Sequence, residues 1–343
     1  MTGYNVVLLP GDGNGPGLVE GAATVLSAIG HKYNIRFNML EKPIGGKALD
    51  VTGVPLPDDT VKACQAADGV IIGAIGGDKW NDLKPHNRPE RALRALYSAL
   101  GIGACIYPIS PIHRALSRSA ANADILLVRD MCGGTEHGEH GYRDGVLGQE
   151  GFDTVVCSIS EAESIAKIAA ALATERGSTL TSVDKADVLD SAKLWRATVE
   201  RIAKASEVPH KIETAEAFIL NVTKAPETYG VVLASNMLGA MLVTMLSAIP
   251  GAVGLMPMCA LGSGKANIYG GVPPYDHDNP VGIILSSAML LSSLKLSREA
   301  AEVELAVKRV LGKGLRTEDV ANGKKYITGK KMAEEIAYSI LNS

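Results

Sequence analysis

Residues 231–251 read VVLASNMLGAMLVTMLSAIPG, and no charged residue occurs between Glu227 and Lys265. Residues 231–233 read as the end of a buried strand, with Ser235 or Asn236 suited to cap a helix. Met237, Leu238, Met241, Leu242, Met245 and Leu246 then recur at helical spacing on two adjoining rows. Pro250-Gly251 ends the helix. A membrane span needs about 20 uninterrupted apolar residues. Here Asn236, the prolines and the glycines break the run into strand, helix and loop, so no membrane span is expected. A helix apolar on every side lies inside a large domain or in a subunit interface.

Outward from this stretch, the chain alternates strands and helices. Residues 4–10 read as a strand and 11–17 as a glycine-rich turn. Helix 18–29, closed by Gly30, leads to strand 35–40, helix 61–67 and strand 69–74. Residues 88–100 read as a helix and 123–129 as a strand. Regularity then fails over residues 130–152, rich in Gly, acid and His, which suggests a hairpin or arm. Strand 154–159 precedes helix 160–176, whose start carries a capping-box pattern, Ser160 with Glu163. Strand 180–184 and helix 190–205 come next, and a loop spans 256–279. Helices 280–294, 298–311 and 329–341 end the chain. Such alternation predicts an α/β architecture with a largely parallel sheet.

Bulk properties narrow the class. A chain of 343 residues is long enough for two domains. A net charge of −3 leaves no electrostatic footprint for nucleic acid, and 4% aromatics leave no base-stacking platform. The five cysteines, Cys64, Cys105, Cys132, Cys157 and Cys259, are dispersed and form no CxxC pair. That argues for a reducing compartment and against a structural zinc or a disulfide frame. With no signal-peptide pattern at the N-terminus, a cytoplasmic protein is expected.

Four motifs carry possible chemistry. The turn Gly11-Asp12-Gly13-Asn14-Gly15 between strand and helix suits an anion, but its spacing fits neither nucleotide fingerprint, which favours a plain tight turn. Lys185, flanked by Asp184 and Asp187, stands at a strand's C-terminal end, where open α/β sheets bind ligands. It is a candidate acid/base or anchor, against a salt-bridged loop lysine. Glu136-His137-Gly138-Glu139-His140 offers metal-ligand types, against a solvated turn. Asp276-His277-Asp278 reads as a polar surface loop.

Together these stretches resemble the isocitrate/isopropylmalate dehydrogenase family of β-decarboxylating dehydrogenases, closest to its isopropylmalate branch. The residues that carry the resemblance are Leu9-Pro10-Gly11-Asp12-Gly13, Gly76-Gly77-Asp78-Lys79-Trp80, Arg88-Pro89-Glu90, Val128-Arg129, Gly133-Gly134, Val183-Asp184-Lys185-Ala186, Pro250-Gly251 and Asn279-Pro280, in order over nearly the whole chain. The resemblance implies a two-domain α/β fold with a central twisted, mostly parallel sheet flanked by helices. Residues 1–102 and 255–343 would form a cofactor-side domain. Residues 103–254 would form a second domain with the dimer interface and a clasp arm over 132–152. A homodimer is expected, burying Leu238, Met241, Leu242 and Met245.

The family's chemistry oxidises a 2-hydroxy acid with a nicotinamide cofactor and then decarboxylates the keto acid, with a divalent cation polarising the oxygen. The resemblance assigns proton transfer to Lys185, carboxylate binding to Arg129, and cofactor contacts to Glu90, Asn279 and Gly271. Glu136 stands at the catalytic tyrosine's position, and Tyr97 and Tyr107 at those of two carboxylate-binding arginines. Thr214, Ala240 and Thr244 stand where the family has cation-binding aspartates, although Glu213 or Glu216 could replace the first. Hard dications take several oxygens, usually with carboxylate charge. The resulting expectation is a diverged relative that acts on a small carboxylate or polar ligand, with NAD as a candidate cofactor and no divalent metal at the family site. A non-catalytic relative, working beside a paralogous catalytic subunit, and a genuine NAD-dependent isopropylmalate-type dehydrogenase are the alternatives.

Overall fold

The computed structural model describes residues 3–84, 87–114, 116–117, 122–135, 138–273 and 277–343. They fall into two compact units: Met1–Ile102 with Ile112–Arg118 and Pro250–Ser343, and Gly103–Pro111 with Ser119–Ile249.

The first unit begins with β1 (Gly3–Gly11), α1 (Gly15–Tyr33), β2 (Arg36–Glu41), α2 (Gly45–Thr52), α3 (Asp58–Ala66), β3 (Gly69–Ala74) and α4 (Glu90–Leu100). The second holds β4 (Ile102–Ile109) from Gly103 onward, β5 (Ile125–Asp130), β6 (His140–Gly145), β7 (Gly148–Asp153), α5 (Ile159–Glu175), β8 (Leu180–Asp184), α6 (Asp190–Ala205), β9 (His210–Thr214), α7 (Ala215–Lys224), β10 (Val231–Ala234) and α8 (Asn236–Leu246). The chain then returns to the first unit with β11 (Met258–Gly262), β12 (Ile268–Gly270), α9 (Val281–Ser293), α10 (Ser297–Gly312) and α11 (Gly329–Leu341).

In the first unit the strands run in the order β2-β1-β3-β12-β11, parallel except for β11 against β12. Val25, Leu26 and Ile29 of α1 pack with Val307 of α10 and Ile336 of α11 in one apolar core. Each such side chain contributes about 1.5–3 kcal/mol on burial. The turn after β1 is organised by the buried carboxylate of Asp12, which accepts hydrogen bonds from the amides of Gly46, Lys47 and Gly76, each at 2.8 Å. The first amides of α2 thus find their anion inside the chain. Gly11 has φ +68°, and a Cβ there would strike the Ala74 carbonyl.

The strands of the second unit run β4-β5-β10-β8-β9, with β4 antiparallel to β5 and the other pairs parallel. Parallel pairing brings the carboxyl ends of β5, β10, β8 and β9 to one edge. β6 and β7 form a separate two-stranded antiparallel hairpin.

Several sequence expectations are corrected. Helix α1 passes through Gly30 to Tyr33, because the left-handed Asn34 closes it by donating to the Gly30 carbonyl. Gly30 instead lets the Ile35 carbonyl approach, 2.7 Å from where a Cβ would sit. Residues 154–159 form no strand: Val156 makes one isolated bridge with Gly134. The capping box of α5 is Ser158 with Glu161, two residues earlier than expected. The motif S-x-x-E occurs in both registers, and only the structure selects one. Sequence patterns also passed over α2, β4, β9 and α7, and the two short strands β11 and β12 inside the expected loop. On α8, Leu242 and Leu246 are buried within their own subunit, while Met237 and Met241 are exposed. Leu242 therefore belongs to the core and not to an interface. Among the described residues no helix is long and apolar enough to cross a membrane.

Asp12→Ala would leave three amides without their acceptor. It is expected to lower the unfolding free energy by about 3 kcal/mol, read from urea melts. A loss below about 1 kcal/mol would mean that water takes over the carboxylate's role.

Candidate functional site

Arg129 is the penultimate residue of β5, and register sets it beside Ala234 of β10, whose other neighbour is Val183 of β8. Lys185 lies just past the end of β8. Arg129 and Lys185 therefore stand two strands apart on one edge, on strands roughly 9.5 Å apart, with Lys185 two residues further toward the carboxyl end. That edge, outside the carboxyl ends of parallel strands, is where ligands bind in open α/β sheets.

The half-buried Arg129 lies over the first turn of α8. Its Nε donates to the Asn236 carbonyl at 2.9 Å and its Nη2 to Asn236 Oδ1 at 2.8 Å. Gly239 makes room for it, since a Cβ there would stand 2.6 Å from Arg129 Cγ. The Tyr107 hydroxyl, on β4, also hydrogen-bonds Arg129; burial holds that phenol well above its usual value.

The Lys185 ammonium donates to Asp187 Oδ2 at 2.7 Å and pairs with Glu216 Oε1 at 2.6 Å. Bonding to Asp187 first, and to Glu216 second, raises its pKa above the ordinary lysine value. The strand end behind it is fixed by the buried Asp184, which takes a bidentate grip from Arg196 at 2.9 and 2.6 Å. A cavity of ≈ 140 Å³ opens beside Lys185, walled by Val156, Leu189, Trp195 and Met237 and touched by Asp130. Burial pushes the thiols of Cys132 and Cys157 up to about 11, so neither is a ready nucleophile at neutral pH.

In the first unit, Glu90 opens α4 and its carboxylate lies against Gly76. Asn279 is buried, its amide donating to Asp319 at 3.0 and 3.3 Å while its Oδ1 accepts from the Val281 amide. The His277 Nδ1 accepts from the Asn279 amide at 3.2 Å, which leaves the proton on Nε2. Nε2 is buried with no partner among the described residues. Gly271 comes directly after β12, and Tyr97 is half-buried on α4. The structure thus groups Arg129 with Tyr107, and Lys185 with the carboxylates of Asp187 and Glu216, in the second unit. Glu90, Tyr97, Gly271 and Asn279 belong to the first. Glu136 lies outside the described residues, as do His137 and Asp276. Asn236, Gly239 and Asp187 escaped assignment from sequence, because an amide, a glycine and an acid in a loop carry no signal until their neighbours are known.

Thr214, expected at a cation position, is the N-cap of α7; its hydroxyl accepts from the Ala217 amide at 3.4 Å. The carboxylate of that segment which reaches Lys185 is Glu216. Asp187 and Glu216 are hard oxygen donors of the type divalent cations take. Ala240 and Thr244 add no carboxylate, the Thr244 hydroxyl donating to the Ala240 carbonyl. Among the described residues no three acidic, His or Cys side chains converge on a common point. The described residues thus supply only part of a cation's shell.

Comparison with known proteins bears directly on this site. Residues 5–336 match the family model described as isocitrate/isopropylmalate dehydrogenase. The 3-isopropylmalate dehydrogenase of Geobacillus kaustophilus is 35% identical, covering 100% of this chain and 97% of its own. That of Vibrio parahaemolyticus is 38% identical over 99% of both chains. An isocitrate dehydrogenase from Methylococcus capsulatus, 22% identical, shares the fold with a TM-score of 0.87 over 99% of this chain and 100% of its own. These end-to-end relatives overturn the expectation of a diverged protein unable to run the family's reaction. The expected absence of a divalent metal falls with it, since the family reaction that the resemblance implies uses one. Both expectations rested on Thr214, Ala240 and Thr244 standing at the family's three cation positions; at the first of these, Glu216 of the same segment stands beside Lys185. The chain belongs to the isocitrate/isopropylmalate dehydrogenase family.

Proposed function

We propose that the protein is an NAD-dependent dehydrogenase of the 3-isopropylmalate type, oxidising a small 2-hydroxy acid and releasing carbon dioxide from the keto acid formed. One observation carries this: a guanidinium with neutral partners and a carboxylate-held ammonium share the ligand edge of one sheet, in a chain related end to end to enzymes of that name. NAD, when bound, supplies the hydride acceptor. Asn279, Glu90 and Gly271 of the first unit would hold it together with His277, whose unpartnered Nε2–H is a donor suited to a nucleotide acceptor.

Arg129 binds a carboxylate of the acid, for which its planar fork is matched. Lys185 moves one proton. As an ammonium it gives that proton to the enolate left when the carbon–carbon bond breaks and carbon dioxide leaves; the hydroxyl proton released as the carbon's hydride departs passes to solvent, and solvent re-protonates the lysine. The raised pKa keeps Lys185 protonated at neutral pH, the state that this donation needs. Apolar walls beside Lys185 exclude water from that transfer.

The proposal includes a homodimer. In the second unit Met241 is 60% exposed and Met237 46%, with Ile219 and Leu220 exposed on α7 and Val146 and Leu147 fully exposed at the hairpin turn. Apolar side chains gathered on an uncharged helix and a projecting hairpin mark a self-association surface.

Lys185→Met is expected to lower turnover of 3-isopropylmalate with NAD by about a thousandfold. Its melting temperature should stay near that of the wild type, because its ion pairs are solvent-screened. Retained turnover would remove Lys185 from the chemistry. Met241→Asp should elute as a monomer or aggregate on a sizing column, whereas an unchanged dimer would show that α8 is not the interface.

A further inference from the structure

Asn236 occupies the first position of α8 and is 3% exposed. Both of its oxygens are engaged by Arg129, the carbonyl by Nε and Oδ1 by Nη2. These donors fix the orientation of the amide, because only its oxygen can face a guanidinium. Among the described residues its Nδ2 is then left buried with no hydrogen-bond partner. An orphaned buried donor is destabilising by about 1–3 kcal/mol, and native proteins keep few of them.

An aspartate of the same shape would remove that orphan. It would also hold Arg129 more strongly, through a charge-assisted pair. Stability alone therefore favours Asp at this position, and the chain has Asn. What Asn preserves is charge. Among the described residues the side chains bonded to Arg129 are those of Asn236 and Tyr107, both neutral and the latter kept so by burial. A guanidinium aimed by neutral groups keeps its full attraction for an anion, whereas one paired with a carboxylate is already neutralised. Ser235, the N-cap of α8, sends no side-chain acceptor to the first turn, so the positive end of the helix adds to the same field.

We infer that Asn236 is a positioning residue, which aims Arg129 without neutralising it and so makes the site selective for an anionic group, a carboxylate, on the ligand. This rests on the dehydrogenase assignment only for the identity of that ligand.

The test compares wild type with Asn236→Asp and Asn236→Ala. It uses turnover of 3-isopropylmalate with NAD, and binding of 3-isopropylmalate and of malonate by calorimetry. Asn236→Asp is expected to melt higher than wild type yet to show a KM for 3-isopropylmalate raised by about tenfold or more, the equivalent of one lost ionic contact. Its kcat should change less, and its KM for NAD should stay the same. Asn236→Ala should melt lower and also bind the acid more weakly, because Arg129 loses its aim. A purely structural role would move melting temperature without moving the KM for the acid. Unchanged acid affinity in Asn236→Asp overturns the inference while leaving the dehydrogenase assignment intact. A wild type that binds malonate but turns over no 3-isopropylmalate overturns that assignment instead, and weaker malonate binding by Asn236→Asp then still supports the inference. A wild type that binds neither acid overturns both.

Discussion

The grip of Asn236 on Arg129 ties a strand end to the helix that gives the chain its most unusual stretch. β10 runs between β5 and β8 and delivers α8 to the ligand edge. The first turn of α8 then meets Arg129 because Gly239 leaves no Cβ in its path. A larger residue at 239 or a charge at 236 would move or cancel the guanidinium. The composition of α8 reflects these demands: small where Arg129 crosses, buried at Leu242 and Leu246, and apolar even where Met237 and Met241 are exposed.

Lys185 is governed by the opposite choice. Its partners are carboxylates, and they hold the proton on the ammonium, whereas Arg129 is held by groups without charge. Two cations on one edge, one with and one without compensating charge, suit one to proton transfer and the other to anion binding. Asp184 and Arg196 form the rigid support behind Lys185, a bidentate pair that also fixes the Ala186 amide. The position of Lys185 thus depends on the pair behind it.

Much of this was legible in the sequence. The strand over residues 69–74 and the helices over 190–205 and 329–341 are set by apolar periodicity alone, and the structure has them with those bounds. Lys185 was identifiable because a strand end is marked by where its apolar run stops, and Arg129 through the family resemblance. What stayed hidden depends on contacts between distant segments. Asp12 meets amides 34 to 64 residues away, and Asn236 meets Arg129 across 107 residues. Local register was the other source of error: a slip of two residues displaced the capping box, and which acid of residues 213–216 reaches Lys185 was left open until Glu216 was seen beside it.

The central claim is that this chain runs both halves of an oxidative decarboxylation. The most direct measurement is the stoichiometry of products from purified protein given 3-isopropylmalate, NAD and a manganese salt, with reduced nicotinamide and carbon dioxide monitored together. The account predicts equal amounts of both, formed at the same rate. Reduced cofactor without carbon dioxide would restrict the protein to simple alcohol oxidation, and the absence of both products would contradict the assignment outright.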